Sequence, residues 1–318
     1  MRRRTPRRRE TYNLRTMKII EISDEVTQAL GDGAPVVALE STIIAHGLPR
    51  PDNLAAAIDF ESRVRSAGVV PATIAVIDGV ARVGLDKDQL ERVALEDLAK
   101  ASVRDLPIVM SKGISAATTV ASTASLASLA GIRVFATGGL GGVHRDAKAT
   151  FDESADISIL SSTPVTVISA GVKSILDISA TLERLESLSV SVVGYQTNTF
   201  PSFWLTESKY QLDWRVDGPA DVAHLMRLRD ALRLKSGIIV ANPVPLENQW
   251  DPDVHDQLLE SALDEAAKNG VRGKEVTPFV LSYIVQKSEG KSLAVNLDLV
   301  ANNITLACQI ARSWAELA

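Results

Sequence analysis

Val165-Thr-Val-Ile-Ser-Ala-Gly-Val-Lys173 is an apolar run, a small-residue turn and then a lysine. The run does not alternate with polar residues, which is the pattern of a strand covered on both faces. Residues 173–186 follow with helical periodicity. The same unit recurs in both directions along the chain. Strand candidates are Pro35–Leu39, Thr73–Ile77, Pro107–Met110, Arg133–Ala136, Ser189–Gly194 and Gly237–Val240. Helical patterns fall between them at Asn53–Ser66, Lys87–Lys100, Thr119–Leu129 and Ala220–Leu234. Three more follow the last strand, near Asp253–Lys268, Pro278–Glu289 and Leu297–Trp314. This alternation predicts an α/β protein with a largely parallel sheet sandwiched between helices.

Nearly every apolar run ends in polar or small residues. The ends are Glu40-Ser41-Thr42, Asp78-Gly79, Ser111-Lys112-Gly113, Thr137-Gly138-Gly139, Ser169-Ala170-Gly171, Gln196-Thr197-Asn198 and Asn242-Pro243. In open parallel sheets ligands bind beyond the carboxyl ends of the strands, so these clusters predict one site along one edge. Turn and capping chemistry accounts for any one of them taken alone.

The chain has 318 residues, 46% of them hydrophobic and 23% charged, enough for a large core. Its single cysteine, Cys308, excludes a disulfide framework, and the chain reads as a cytoplasmic protein. No internal repeat or Pro/Gly/Ser linker divides residues 17–318, which are read as one domain. Residues 1–16 are read as a basic, disordered leader ahead of Met17. The first 18 residues hold eight basic side chains and one acid, leaving residues 19–318 with a net charge of −12. A body that acidic is a poor ligand for nucleic acid. The partner is read as a small molecule, its anionic group held by a few local cations or backbone N–H groups, with no membrane involved.

Several residues carry the chemistry. Lys173, at the sheet's carboxyl edge, would lose hydration there, and a neutral amine can attack a carbonyl to form a Schiff base. A lysine reaching from a helix N-terminus to solvent or to a phosphate is the alternative. Glu40, ending Val36-Val-Ala-Leu39, is placed to act as a general acid or else to cap a neighbouring turn. Lys100 and Lys112 are candidate phosphate cations, and residues 113–119 offer an anion site or helix caps. Gly138-Gly-Leu-Gly-Gly-Val-His-Arg145 is a glycine loop that fits neither dinucleotide nor P-loop spacing. Phe151-Asp-Glu-Ser-Ala-Asp156 puts three carboxylates in six residues. On a helical turn Asp152 and Asp156 would share a face, suiting Mg²⁺ or Mn²⁺ or simply starting a helix. His224 and His255 read as surface residues, and Cys308 as core.

Together these segments resemble the pseudouridine-5′-phosphate glycosidase family, also called indigoidine synthase A-like. The resemblance is carried by Val37-Ala-Leu-Glu-Ser-Thr-Ile-Ile-Ala-His-Gly47, Pro71-Ala-Thr-Ile-Ala-Val-Ile77, Arg104-Asp-Leu-Pro107 and Ala117-Thr-Thr-Val-Ala-Ser-Thr123. It continues through Phe135-Ala-Thr-Gly-Gly-Leu-Gly-Gly-Val-His-Arg145, Ala170-Gly-Val-Lys-Ser-Ile-Leu-Asp177, Gly194-Tyr-Gln-Thr197, Ala241-Asn-Pro243 and Gly273-Lys-Glu-Val-Thr-Pro-Phe279. These motifs span residues 17–318, and the leader lies outside them.

The resemblance implies a three-layer α/β/α sandwich assembling as a homotrimer. It implies reversible cleavage of the C–C glycosidic bond of pseudouridine 5′-phosphate to uracil and ribose 5-phosphate, in pseudouridine catabolism, with Mn²⁺ as cofactor. By the same resemblance Lys173 is the Schiff-base nucleophile, Glu40 the proton donor and Asp152 the metal residue. Lys100, Val120, His144, Ser154, Ala155, Asp156 and Asn296 border the substrate. No kinase motif accompanies the domain, so the resemblance implies a separate pseudouridine kinase. The alternative is a Schiff-base lyase or aldolase acting on another phosphorylated sugar, which uracil release distinguishes.

Overall fold

The computed structural model describes residues 19–272, 275–288 and 290–317. The basic leader and the Gly273-Lys274 pair fall outside the described residues. Strands run in chain order as β1 (Ile20–Ile22), β2 (Val36–Leu39), β3 (Val70–Ile77), β4 (Val80–Val83), β5 (Ala99–Ala101), β6 (Ala116–Thr118) and β7 (Val134–Ala136). They continue as β8 (Val143–His144), β9 (Thr166–Ser169), β10 (Leu176–Asp177), β11 (Ser191–Tyr195), β12 (Arg215–Val216) and β13 (Ile238–Ala241). The first helices are α1 (Asp24–Gly31), α2 (Asp52–Ser66), α3 (Lys87–Leu95), α4 (Leu106–Ser111), α5 (Val120–Ala130) and α6 (Ala147–Thr150). After them come α7 (Ala155–Leu160), α8 (Ile178–Ser187), α9 (Pro219–Ala231), α10 (Pro252–Lys268), α11 (Val276–Lys287) and α12 (Lys291–Leu317).

The large sheet has the order β1-β4-β3-β2-β7-β9-β13-β11-β12, and from β3 to β12 every pairing is parallel. β4 and β6 both pair antiparallel to β3, and β5 extends β6, so the sheet is mixed at one side. Helices cover both faces: α12 packs with α2 and α9, while α5 packs with α7, and α7 with α8. The fold is thus a single-domain α/β sandwich about a mostly parallel sheet. β2, β9 and β13 are buried at every position, which accounts for the absence of charged residues from them.

Register decides where the site lies. Leu39 pairs with Ala136, Ala136 with Ile168, and Ser169 with Ala241. The polar residues that follow these strands, Glu40, Thr137 and Asn242, therefore emerge along one edge. Helix α12 runs beneath it, with Val295, Leu299, Val300 and Ile304 buried. By length and composition α12 could cross a membrane, but more than half of its apolar window is buried inside the fold.

Three predicted elements differ. Pro107–Met110 is not a strand but the body of α4, whose first turn accommodates Pro107. Short apolar runs do not by themselves distinguish the two states. The helix expected over Lys87–Lys100 stops at Leu95, and Ala99–Ala101 joins the sheet beside β6. The helix expected from Lys173 begins at Ile178, because the Asp177 side chain accepts from Ala180 N and caps it there. Lys173 is thereby left in a loop.

His224 is exposed and Cys308 is buried, as expected. His255 is not a surface residue. It is 2% exposed and packs edge-on against Trp204 and Trp250, with ring centroids 5.7 and 6.0 Å away. Its charged helical surroundings conceal a one-residue contact with an aromatic cluster contributed by distant loops. Burial pushes its imidazole below the ordinary value of 6.5, against the opposing effect of Asp256. A group held neutral in the fold contributes stability that is intact above its unfolded value and lost as pH falls below it. Thermal stability should therefore drop as pH is lowered from about 6.5, and His255→Phe should flatten part of that slope in melting curves.

Candidate active site

Glu40 follows β2 directly and is 7% exposed. One carboxylate oxygen accepts from the Thr42 hydroxyl and the other from the Thr137 hydroxyl. Thr137 lies 97 residues away in sequence but on the neighbouring strand's end. Behind this trio, Ser41 Oγ donates to Ile74 O at 2.7 Å and accepts from Thr118 N at 2.8 Å. Thr118 Oγ1 donates to the same carbonyl at 2.6 Å. These bonds lock β2 to β3 and β6, so Ser41 holds the frame while Glu40 faces the cleft.

The cleft is lined by Glu40, Thr42, His46, Lys100, Lys173 and Asn296, with Gly138, Gly139 and apolar residues of α11 and α12. A larger groove lies elsewhere, beside α1 and β4. Its charged residues are largely paired with each other, Arg65 with Glu25 and Arg82 with Glu21. The smaller cleft is the candidate site because it joins an acid and two lysines at the sheet's carboxyl edge.

Lys173 is carried by the turn after β9. Its amide donates to Leu140 O at 3.1 Å and its carbonyl accepts from Leu176 N at 3.0 Å. Gly171 makes the turn at φ +82°, and a Cβ there would lie 2.6 Å from Pro201 O. Arg145 clasps the same turn through the carbonyls of Ser174 and Ile175, at 3.0 and 3.3 Å. Its role is to tie the glycine loop to the lysine loop, which β8 and β10 also do by pairing.

Lys100 reaches the cleft from β5. Burial first, and then the charge of Lys173, push its ammonium below the ordinary lysine range; Glu40, Asp156 and Glu275 oppose this. Two lysines and three acids therefore share one electrostatic neighbourhood. An anionic phosphate arriving there would favour the charged ammonium again. Lys112, by contrast, is exposed at the end of α4 and is absent from the cleft lining. Asn296, 6% exposed, accepts from Trp204 Nε1 at 2.6 Å, and so rests on the aromatic cluster that buries His255.

The remaining predicted residues form a flank rather than the cleft wall. Asp156 accepts from Ala121 N and Gly141 N, both at 2.8 Å, bridging the start of α5 to the glycine loop. A Cβ on Gly141 would approach Asp156 Oδ2 to 2.7 Å, so this loop position has to be glycine for the bridge to form. Val120 opens α5 and is buried, and Ser154 caps α7 by accepting from Asp156 N at 3.2 Å. Ala155 is the first residue of α7. Since α7 starts only there, Asp152 lies ahead of it in a loop, and the two aspartates do not share a helical face.

Asp152 is half-buried, with one oxygen 3.8 Å from His144 Nδ1, while Glu153 pairs with Arg184 at 3.0 Å. Among the described residues no three His, Cys, Asp or Glu side chains converge. A single carboxylate beside an imidazole does not build a zinc cage, but it fits a hard divalent ion that keeps most of its water.

Of the seven strand-end clusters, only Glu40-Ser41-Thr42 and Thr137-Gly138-Gly139 line the cleft directly. Ser169-Ala170-Gly171 lies beneath it, with Ala170 N donating to Gly138 O at 2.9 Å. Asn242 donates to Asn303, which in turn donates to Thr137 O, bracing the edge from behind. Asp78 sits in the β3–β4 turn and is held by Arg92 at 2.9 Å; Ser111-Lys112-Gly113 ends a helix. Gln196 and its neighbours are outside the lining. Thr42 and Thr137 as partners of Glu40, and His46 as a cleft residue, are features that sequence reasoning missed. Thr42 carried the weak signal of adjacency, and Thr137 carried none short of knowing that β7 neighbours β2.

A buried acid and a loop-borne lysine at the carboxyl edge of a parallel sheet define an α/β enzyme built for small-molecule chemistry. The chain belongs to the indigoidine synthase A-like protein family, whose pattern it matches over residues 25–313. It is 56% identical over 297 residues to the pseudouridine-5′-phosphate glycosidase of Frankia alni, covering 93% of this chain and 82% of that one. It is 55% identical to that of Saccharopolyspora erythraea, covering 92% and 97%. The crystal structure of the prealnumycin C-glycosynthase in complex with ribulose 5-phosphate superposes with a TM-score of 0.86 at 32% identity, over 95% of this chain and 98% of that one. An indigoidine synthase A-like protein from Thermotoga maritima gives 0.85 at 36% identity, over 93% and 97%.

Proposed function

We propose that this protein is a pseudouridine-5′-phosphate glycosidase, cleaving the C–C bond between C1′ and uracil reversibly. The observation that carries this reading is the meeting of Lys173, Glu40 and Lys100 in one cleft. The curated relatives of the same name, at high coverage, support it. A C–C glycoside has no bridging oxygen to protonate, so the two-carboxylate route to O-glycosides is closed. The sugar has to become an electron acceptor instead.

Lys173 can provide this. Its neutral amine forms an N–C1′ bond as the C1′–O4′ bond opens, O4′ leaving with a proton from Glu40. The carboxylate so formed takes the proton shed by the new ammonium nitrogen and delivers it to the uracil carbon, and the C1′–C bond then breaks with its electrons staying on the base. The nitrogen lone pair becomes the C=N of a protonated Schiff base, and water hydrolyses it to ribose 5-phosphate and free lysine. Lys100 binds the phosphate, which compensates the cost of burying its charge. Asn296 and the flank of Val120, His144, Ser154, Ala155 and Asp156 border the nucleotide in this reading.

Asp152 beside His144 would hold Mn²⁺ through water. That ion would supply positive charge against the oxygens of the leaving base. We further propose a homotrimer working in the cytoplasm on pseudouridine 5′-phosphate made by a separate pseudouridine kinase.

The test is uracil release from pseudouridine 5′-phosphate by purified protein, with Mn²⁺ and with a chelator, matched against ribose 5-phosphate formed. Equal amounts of both products are expected. Folded, metal-loaded protein that releases no uracil yet still captures ribose 5-phosphate with borohydride would move the reading to a lyase of another phosphorylated sugar.

A further inference from the structure

His46 has no part in the steps above, yet it is built into the same cleft. It occupies the π-helical turn Ile43–Gly47, from which the chain reaches α2 through Leu48-Pro49-Arg50-Pro51. π-Turns are rare and concentrate at functional sites. This one is clamped by Asn53, fully buried, whose Nδ2 donates to Ile44 O at 3.0 Å and to Ala94 O at 2.7 Å.

The imidazole has a definite polarity. It donates to the backbone carbonyl of Ala99, while burial and the neighbouring charge of Lys100 favour its neutral form. Asp97 and Glu275 act weakly in the other direction. Its Nε2 is buried and has no hydrogen-bond partner among the described residues. The nitrogen that donates to Ala99 is therefore Nδ1, and Nε2 carries a bare lone pair. Buried acceptors without a partner are uncommon and call for one. A phosphate dianion has no proton to offer such an acceptor, and Lys100 already provides for the anion. A hydroxyl is the complementary group.

We propose that His46 Nε2 accepts a hydrogen bond from a hydroxyl of the phosphorylated pentose. It thereby fixes the register of the sugar against Lys173 and selects sugars that carry that hydroxyl. The inference rests on the phosphopentose reading given above. His46 is on this view a specificity residue, touching substrate but moving no proton.

The experiment compares capture of ribose 5-phosphate and its 2-deoxy, 3-deoxy and 4-deoxy analogues by cyanoborohydride, with half-saturating concentrations read by mass spectrometry. Wild-type protein should require about tenfold more of one deoxy sugar than of ribose 5-phosphate. His46→Ala should require about tenfold more ribose 5-phosphate than wild type and should lose the preference over that one analogue. His46→Phe, which keeps the ring volume without an acceptor, gives the same reading should the alanine variant not fold. His46→Gln, which restores an acceptor oxygen, should recover part of the preference; a purely structural role would not distinguish Gln from Phe in this way. Equal capture of all four sugars by wild type, or an unchanged preference in the variants, overturns the inference. Capture of none by wild type defeats the phosphopentose reading itself, and this one with it.

Discussion

Replacing Lys173 by Ala is expected to reduce uracil release by about 10⁴-fold or more, the scale on which removing a covalent nucleophile acts. The reason is specific. Without the N–C1′ bond the opened sugar has no nitrogen lone pair to form the C=N that replaces the C–C bond. Cyanoborohydride capture of ribose 5-phosphate should vanish in the same variant. The fold should persist, because the turn is held by backbone bonds of Leu140, Lys173 and Leu176 and by Arg145, none of which uses the lysine side chain. Circular dichroism and melting temperature check that directly. Capture that survives the substitution would move the nucleophile's role to Lys100, the second lysine of the cleft.

Glu40→Gln should lower uracil release by about 10²–10⁴-fold, the usual contribution of a positioned proton donor. The substitution is nearly isosteric. An amide oxygen can still accept from one threonine, and the other hydroxyl can rotate to accept from the amide nitrogen. Thr42 and Thr137 therefore keep their places while the proton is lost. The two steps can be separated, since ribose 5-phosphate already has a free aldehyde in its open form and requires no C–C cleavage to react. Capture of ribose 5-phosphate should accordingly fall far less than uracil release. Uracil release within about threefold of wild type would remove Glu40 as the donor.

The comparison of sequence with structure divides along physical lines. β2, β3, β7, β9 and β13 were legible because strands buried on both faces carry no charged residue, and β11 because its Val192-Val193 centre is apolar. β1, β8, β10 and β12 were not, since strands of two or three residues owe their existence to pairing partners that are remote in sequence. The sequence of α4 reads as a strand because four apolar residues satisfy either geometry. The loop bearing Lys173 was read as helix because capping by Asp177 is a side-chain event that periodicity does not register.

The site shows the same division. Lys173 and Glu40 could be picked out from the motifs in which they stand, Lys100 and Asn296 only by position within the family resemblance, and the cleft contains all four. Asp152 and Asp156 were legible as carboxylates but not in their arrangement: Asp156 spends both oxygens on backbone N–H groups, and Asp152 stands outside the helix. His255 looked like a surface residue because helical periodicity says which face it lies on, not what covers that face.

Taken alone, the sequence determined the layered α/β class, the family and the chemical types at the sheet edge. Those depend on local patterns of burial and on contiguous motifs. Only the tertiary structure decided that Thr137 bonds Glu40, that Lys100 shares its field with Lys173, and that His46, whose Nε2 has no hydrogen-bond partner among the described residues, lines the same cleft. Each depends on strand order and register, which bring together residues as remote as Glu40 and Thr137, 97 positions apart, and on the low-dielectric surroundings that such packing creates.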